Sequence, residues 1–315
     1  MRSLYIAGHT GLVGSAMVRH LSDRAGCRVI TAASSQLDLR DSRAVQAFLE
    51  RERPEGVMLA AGLVGGISAN MRRPAEFLYD NLMIEANVIH ASWKTGVQRL
   101  LNFGSGCVYP KDCPQPMRPE HLMAGKMEPT SEPYALAKLA GMRLCDAYNR
   151  QYGTRFVNAI PCTVYGPGDN FDLQEGHVLS ALLRRVHEAK EAGKTTVTLW
   201  GTGNPRREFI YADDLAEACE LLLDRYADAG PVNIGAGEIC SIGQLAERCA
   251  EVVGYCGRIE WDRSRPDGAP EKRLDSSEIR SLGWMPKVGL KEGLQRTYRW
   301  FQKQRTDSGV LGSVR

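Results

Sequence analysis

Nine cysteines are scattered along the 315 residues without one Cys-x-x-Cys pair, so adjacent cysteines supply neither a zinc ribbon nor a dithiol redox motif. The odd count and absent export signal favour reduced thiols over a disulfide framework, and no metal site is expected. No apolar run approaches the ~20 residues that a membrane helix needs. Charge of one sign never accumulates: 40 Lys and Arg oppose 37 Asp and Glu, for a formal net charge of +3. That excludes a nucleic-acid-coating surface and a polybasic membrane patch, leaving basic residues to act locally on an anionic ligand. Internal repeats and low-complexity tracts are missing as well. The chain opens almost at once on Leu4-Tyr5-Ile6-Ala7, which reads as a buried strand and leaves no room for a signal peptide. The expected compartment is the cytoplasm.

What is present is the composition of an ordinary globular protein, 43% hydrophobic and 24% charged. Short apolar runs at 4–7, 29–32, 57–61, 100–103 and 155–160 read as strands. Amphipathic stretches at 14–24, 42–52 and 74–95 lie between them, and repeated strand–helix–strand units predict a parallel sheet. The expected fold is α/β, a Rossmann-type doubly wound parallel sheet with a smaller C-terminal α/β substrate domain. A further helix over 134–152 has Ser131 to cap it, Pro133 in its first turn and Gly153 to end it. Beyond Tyr165 the pattern loosens: a basic helix at 178–190, a strand at 197–200, and a run from Phe209 to Leu215 that opens another helix. Residues 265–270 read as an exposed loop and 305–315 as a disordered tail. This divides the chain into a nucleotide-binding domain of 1–164 plus 209–232 and a substrate domain of 165–208 plus 233–304.

Gly8-His9-Thr10-Gly11-Leu12-Val13-Gly14 follows the first strand and opens the first helix. In a dinucleotide site Gly8 permits the tight turn, Gly11 lets backbone approach a pyrophosphate, and Gly14 lets helix pack on strand. The spacing alone fits equally a turn that needs positive φ; its strand–turn–helix context favours the nucleotide. After the second strand, Thr31-Ala32-Ala33-Ser34-Ser35 carries no carboxylate until Asp38. That favours NADP over NAD, with hydroxyls for a 2′-phosphate, although Arg40 is the nearest cation. The candidate cofactor set is Gly8, Thr10, Gly11, Leu12, Val13, Gly14, Ser34, Asp38, Leu39, Ala60, Ala61 and Pro161, with Tyr134, Lys138 and His177 shared with the chemistry.

Tyr134 and Lys138 stand one helical turn apart, on one face. An ammonium there would stabilise a phenolate whose free pKa is near 10, and poise Tyr134 to protonate a carbonyl that receives hydride. Ser105, just past the fourth strand, can hold the carbonyl oxygen. Tyr-x-x-x-Lys is common by chance, but the Gly-rich turn and Ser105 weigh against chance. Cys107 alone would read as a small buried hydrophobe, and His177 as a helix cap or surface group.

Together these elements resemble the extended short-chain dehydrogenase/reductases, from the first strand to about residue 304. Longer stretches resemble the branch that epimerises and reduces GDP-4-keto-6-deoxymannose: Ala60-Ala61-Gly62-Leu63-Val64-Gly65-Gly66-Ile67, Asn81-Leu82-Met83-Ile84-Glu85, Cys107-Val108-Tyr109-Pro110-Lys111, His177-Val178-Leu179 and Trp200 through Phe209. The resemblance implies Cys107 as base and His177 as acid at sugar C3 and C5, then NADPH-dependent reduction at C4 through Ser105, Tyr134 and Lys138. It places Val178, Arg185, Trp200 and Arg207 near the GDP. Lys272 is a further candidate for the diphosphate, and one of Arg184 and Arg185 must point away. It also implies a homodimer formed through the helices at 74–95 and 134–152. Departures occur at Gly106, where a hydroxyl residue is usual, at Cys162-Thr163 for Thr-Asn, and at Gly168 for His. They leave open a related GDP-4-keto-deoxy sugar (dideoxyhexose or heptose) with one epimerisation or none. A Rossmann-type protein that merely retains NADP is the non-catalytic alternative.

Overall fold

The computed structural model describes residues 2–22, 24–226, 230–265 and 267–310, with side chains as far as 306. From the amino end the chain forms β1 (Arg2–Ala7), α1 (Leu12–Ser22), β2 (Cys27–Ile30), α2 (Ser42–Glu52), β3 (Gly56–Leu59), α3 (Ile67–Arg72), α4 (Pro74–Lys94), β4 (Arg99–Phe103), α5 (Glu132–Tyr152) and β5 (Arg155–Pro161). It continues as β6 (Thr163–Tyr165), α6 (Val178–Glu191), β7 (Thr196–Trp200), β8 (Arg206–Tyr211), α7 (Ala212–Arg225), β9 (Val232–Ile234) and β10 (Ile239–Ser241). The last elements are α8 (Ile242–Val253), β11 (Arg258–Asp262), β12 (Glu271–Lys272), α9 (Ser277–Ser281) and α10 (Leu290–Val310).

Six strands make one sheet in the order β2-β1-β3-β4-β5-β9, every neighbouring pair parallel. Alternation along β1 shows why it is doubly wound. Leu4 and Ile6 join a core with Met17 and Leu21 of α1 and Leu215 and Leu222 of α7. Tyr5 and Ala7 face the other layer, with Val45 and Leu49 of α2 and Val88 and Ile89 of α4. β8 pairs with β6 and β12 in parallel and with β10 in antiparallel, while β7 pairs with β11. Over these lies a second core from α6, α8 and α10, including Leu179, Leu183, Leu245 and Leu294.

Four expectations are corrected. Phe209–Tyr211 does not open a helix but ends β8, and the helix starts at Ala212. The chain is helical through 305–310, where a disordered tail was expected; 311–315 lie outside the described residues. The loop over 265–270 is not simply exposed: Ala269 is buried and the Asp267 carboxylate accepts from Thr202 N at 2.9 Å, while Pro266 lies outside the described residues. Ser131 stands at the N-cap of α5, but its side chain makes no cap hydrogen bond.

Candidate active site

The strand order reverses at β1, so a crevice opens at the carboxyl ends of β1 and β3, where doubly wound sheets bind ligands. Glycine is required at two points where the first turn meets its neighbours. Gly8 has φ +84°, and a Cβ there would lie 2.6 Å from the Ala61 amide nitrogen. A Cβ on Gly14 would lie 2.1 Å from the Gly8 carbonyl oxygen, so α1 is pressed onto the turn. Gly11 has no such neighbour, its ideal Cβ meeting nothing nearer than 3.5 Å, and its bareness leaves room for a ligand beside the helix N-terminus. The cradle therefore fits a dinucleotide pyrophosphate. A cavity of about 1290 Å³ begins here and is lined by every candidate cofactor residue except Gly14, which lies beneath the turn. The same cavity runs on to Ser105, Cys107, Tyr134, Lys138 and His177, and then to Val178, Arg185, Trp200, Arg207 and Lys272. At the adenosine end Asp38 is held in its ionised form by Arg40, which donates Nε at 3.0 Å and Nη2 at 2.9 Å and also reaches Asp80 at 3.2 Å. The carboxylate thus faces the pocket already neutralised.

At the centre, Ser105 N-caps a short 3₁₀ turn, Gly106–Val108, its hydroxyl accepting from the Cys107 amide at 3.4 Å. Tyr134 lies in the first turn of α5, edge-on to Phe77 with centroids 6.2 Å apart. Burial, then the charges of Cys107 and Glu85, push its phenol above the ordinary range, against a weaker pull from the Ser105 hydroxyl. The expected help from Lys138 is not what the geometry provides: its Nζ donates to Glu85 Oε1 at 2.5 Å, both side chains being buried.

The thiol is tuned the other way. Burial raises Cys107, but Lys272, the Ser105 and Ser131 hydroxyls and His177 outweigh it and hold the thiol below its usual range. Lys272 Nζ stands 3.9 Å from Cys107 Sγ. Its partner in register across β12 and β8 is Arg207, half-buried like Lys272, whose guanidinium feels the charge of Cys107. His177 stands at the N-cap of α6 without a side-chain cap hydrogen bond and approaches Asp169 with Nδ1 3.7 Å from Oδ1. Burial works to lower its pKa, but Asp169 and then Cys107 raise it on balance, so the imidazolium is favoured. Asp169 is in turn fixed by the Ser180 hydroxyl and the Asn170 amide.

At the far end, Trp200 lies between two guanidiniums, Arg185 at 5.3 Å and Arg265 at 5.1 Å from its ring centre, an aromatic and cationic wall suited to a purine and its phosphates. Arg185 lines the cavity, whereas Arg184 turns away to Glu188 at 2.7 Å. The turn 201–204 and the 267–268 loop interlock: Asp267 accepts from the Thr202 hydroxyl at 2.6 Å, and only a glycine fits at 201 beneath that carboxylate. The structure thus brings the sequence-derived set together and places Lys272 beside the thiol. Glu85 and Asp169 were missed as partners of Lys138 and His177. Glu85 belongs to a stretch that resembles the family but carries no reactive signature, and Asp169 is an unremarkable acid in a loop. Among the described residues no group of three His, Cys, Asp or Glu could hold a metal ion, and no helix is long and apolar enough to cross a membrane.

Residues 4–235 match the NAD dependent epimerase/dehydratase family. GDP-L-fucose synthase 1 of Arabidopsis thaliana is 48% identical over 300 residues, covering 95% of this chain and 93% of that protein. Among solved structures, a GDP-L-fucose synthetase from Naegleria fowleri bound to NADP gives a TM-score of 0.89 at 25% identity, covering 97% of this chain and 95% of that one. MlghC, GDP-mannoheptose C4 reductase from Campylobacter jejuni with NADP bound, gives 0.86 at 36% identity, covering 96% and 98%. A glycine cradle, a Ser–Tyr–Lys set and this sheet define the extended reductase class, and the chain belongs to the NAD-dependent epimerase/dehydratase family. Within it, the chain groups with the GDP-L-fucose synthases.

Proposed function

We propose that this protein converts GDP-4-keto-6-deoxy-D-mannose to GDP-L-fucose, inverting C3 and C5 and then reducing the C4 ketone with NADPH. The observation that carries the reading is one continuous cavity holding both a reductase set, Ser105, Tyr134 and Lys138, and a thiol shifted down and an imidazole shifted up in pKa. The C4 ketone acidifies the hydrogens on C3 and C5. At each carbon in turn Cys107 as thiolate takes the proton, the enolate charge passes to O4 near Ser105 and Tyr134, His177 returns a proton to the opposite face, and exchange with solvent resets the thiolate and imidazolium between the two inversions. The glycine turn would hold the cofactor pyrophosphate, and Ser34, Arg40 and Lys138, which line the same cavity, would contact the rest of the cofactor. Bound there, the cofactor supplies hydride to C4. Tyr134 then protonates O4, which balances the reduction of the ketone to the alcohol. Arg185, Arg207 and Trp200 bind the GDP. Nine free thiols suit the reducing cytoplasm, and the working form is read as a homodimer.

Gly106 favours a second reading. A Cβ there would meet nothing within 4 Å, so a glycine lines the reacting end of the pocket with no packing reason to be one. The space suits a bulkier sugar, as in the heptose reductase above. The deciding experiment incubates the protein with GDP-4-keto-6-deoxymannose and NADPH in deuterated water. Label at C3 and C5 with NADPH oxidised supports the fucose-forming reaction; oxidation with label at one carbon or none moves the assignment to another sugar. Neither label nor oxidation leaves a protein that only binds NADP. Tyr134→Phe is expected to slow NADPH oxidation by roughly 10²–10⁴-fold while exchange at C3 and C5 continues, and loss of both would end that division of labour.

A further inference from the structure

Between α4 and α5 lies a buried charge pair whose carboxylate has no assigned role. Glu85 is 1% exposed, and its Oε1 accepts from Lys138 Nζ. Its Oε2 has no hydrogen-bond partner among the described residues. α5 is shaped around that oxygen: a Cβ on Gly141 would lie 1.5 Å from it, so the helix carries glycine where it meets the carboxylate. Among the described residues the titratable groups that interact with Glu85 are Lys138, Tyr134 and Cys145, all on α5. Cys145 is fully buried with its thiol pushed far up, so it stays neutral. Lys138 and Tyr134 are the pair that the reductive step needs.

A carboxylate that only steadied Lys138 would be expected to find donors for both oxygens, because an ionised group buried half-satisfied is costly. Here one oxygen is left bare, in a carboxylate whose charge the proton donor Tyr134 feels. We propose that Glu85 is a positioning residue for the reduction, holding Lys138 in place and, by taking up or losing a proton, setting how much of the ammonium charge Tyr134 feels. This inference rests on the reductive reading above. Burial pushes the Glu85 carboxyl up to about 7, against the opposing pull of Lys138, so both forms are populated near neutrality. With Glu85 ionised, Lys138 is neutralised and Glu85 itself raises Tyr134. With Glu85 protonated, the ammonium is unmasked and stabilises the tyrosinate left when Tyr134 gives its proton to the C4 oxygen. The sign follows: the reductive step is fast below the Glu85 pKa and slows as pH rises through it.

The test is single-turnover NADPH oxidation by the full chain with GDP-4-keto-6-deoxymannose, from pH 6 to 9, in wild type and Glu85→Gln. The glutamine keeps the shape and an oxygen for Lys138 but cannot ionise. In wild type the rate should fall about tenfold for each pH unit above about 7, and in Glu85→Gln this limb should vanish, so that the variant overtakes wild type by pH 8.5. A variant that keeps the limb, or is slowed equally at every pH, overturns the proposal. Should Glu85→Gln fail to fold, Glu85→Asp keeps an ionisable group farther from Lys138, and an unshifted limb overturns the proposal equally. Failure of the functional reading looks different: wild type would then oxidise no NADPH with this sugar at any pH. An infrared titration without substrate still decides the point in that event, since a carboxylic acid band must grow in between pH 8 and 6 in wild type and be missing from Glu85→Gln.

Discussion

Burial raises the thiols of Cys113, Cys145, Cys162, Cys219 and Cys249, whereas Cys107 is lowered, most strongly by Lys272 at 3.9 Å. An opposite charge at that range shifts a pKa by roughly one to three units. In Lys272→Met the pH midpoint for alkylation of Cys107 by iodoacetamide, followed by peptide mass spectrometry, is therefore expected to rise by roughly one to three units. An unmoved midpoint would detach Lys272 from the thiol. His177 gives the companion case with opposite sign. Asp169 raises it, so the imidazolium survives to higher pH, and exchange that needs His177 as acid falls off as pH climbs through its pKa. In Asp169→Asn that fall-off should begin at lower pH, with exchange at acidic pH little changed; deuterium incorporation against pH reads this directly. Both side chains can thus be assigned work by what stands beside them rather than by residue type.

At the scale of elements, β8 joins the two parts of the chain, and Glu208 is what it uses. The side chain is 1% exposed, its Oε1 accepting from Gly237 N at 2.6 Å and its Oε2 from Leu274 N at 3.0 Å, so it ties β8 to the loops beside β10 and β12. Removing it strands one buried donor, Leu274 N, and one on the exposed Gly237. Glu208→Ala should cost about 1–3 kcal/mol in chemical denaturation, and Glu208→Gln, which retains one acceptor oxygen, distinctly less. Equal stability of all three would show water replacing the carboxylate. β8 is also where the sequence was misread. Phe209-Ile210-Tyr211 is a short apolar run flush against a helix that starts with Asp213 and Asp214 in its first turn, and nothing local separates strand from helix there. Its three partner strands lie elsewhere in the chain and decide the matter. By contrast α4, expected over 74–95, was legible to within a residue because Pro74 marks its start locally. The site divides in the same way. Gly8, Tyr134 and Lys138 sit in short motifs, but the partnership of Lys138 with Glu85 spans 53 residues and that of Cys107 with Lys272 spans 165, distances at which sequence pattern carries no geometry.

For the whole molecule, the two long helices face two ways. Their inner faces hold Glu85 and Lys138, both buried. Their outer faces carry Leu78, Tyr79 and Leu82 on α4 and Leu136 on α5, all exposed. A cluster of large apolar side chains on two adjacent helices fits a self-complementary surface. If two copies meet there, the association also clamps α4 against α5 and so steadies Lys138, whereas Cys107 on its 3₁₀ turn and His177 at the cap of α6 stand on other elements. Placing like charges in the middle of the seam, with Leu82→Asp and Leu136→Asp together, should shift sedimentation from the dimer to the monomer mass. The monomer should lose more of its NADPH oxidation than of its hydrogen exchange at C3 and C5, because Tyr134 and Lys138 lie on α5 itself whereas Cys107 only packs against it. A wild type already monomeric would remove the seam. A monomeric variant with both activities lowered alike would show that the clamp supports the entire cavity rather than its reductive end.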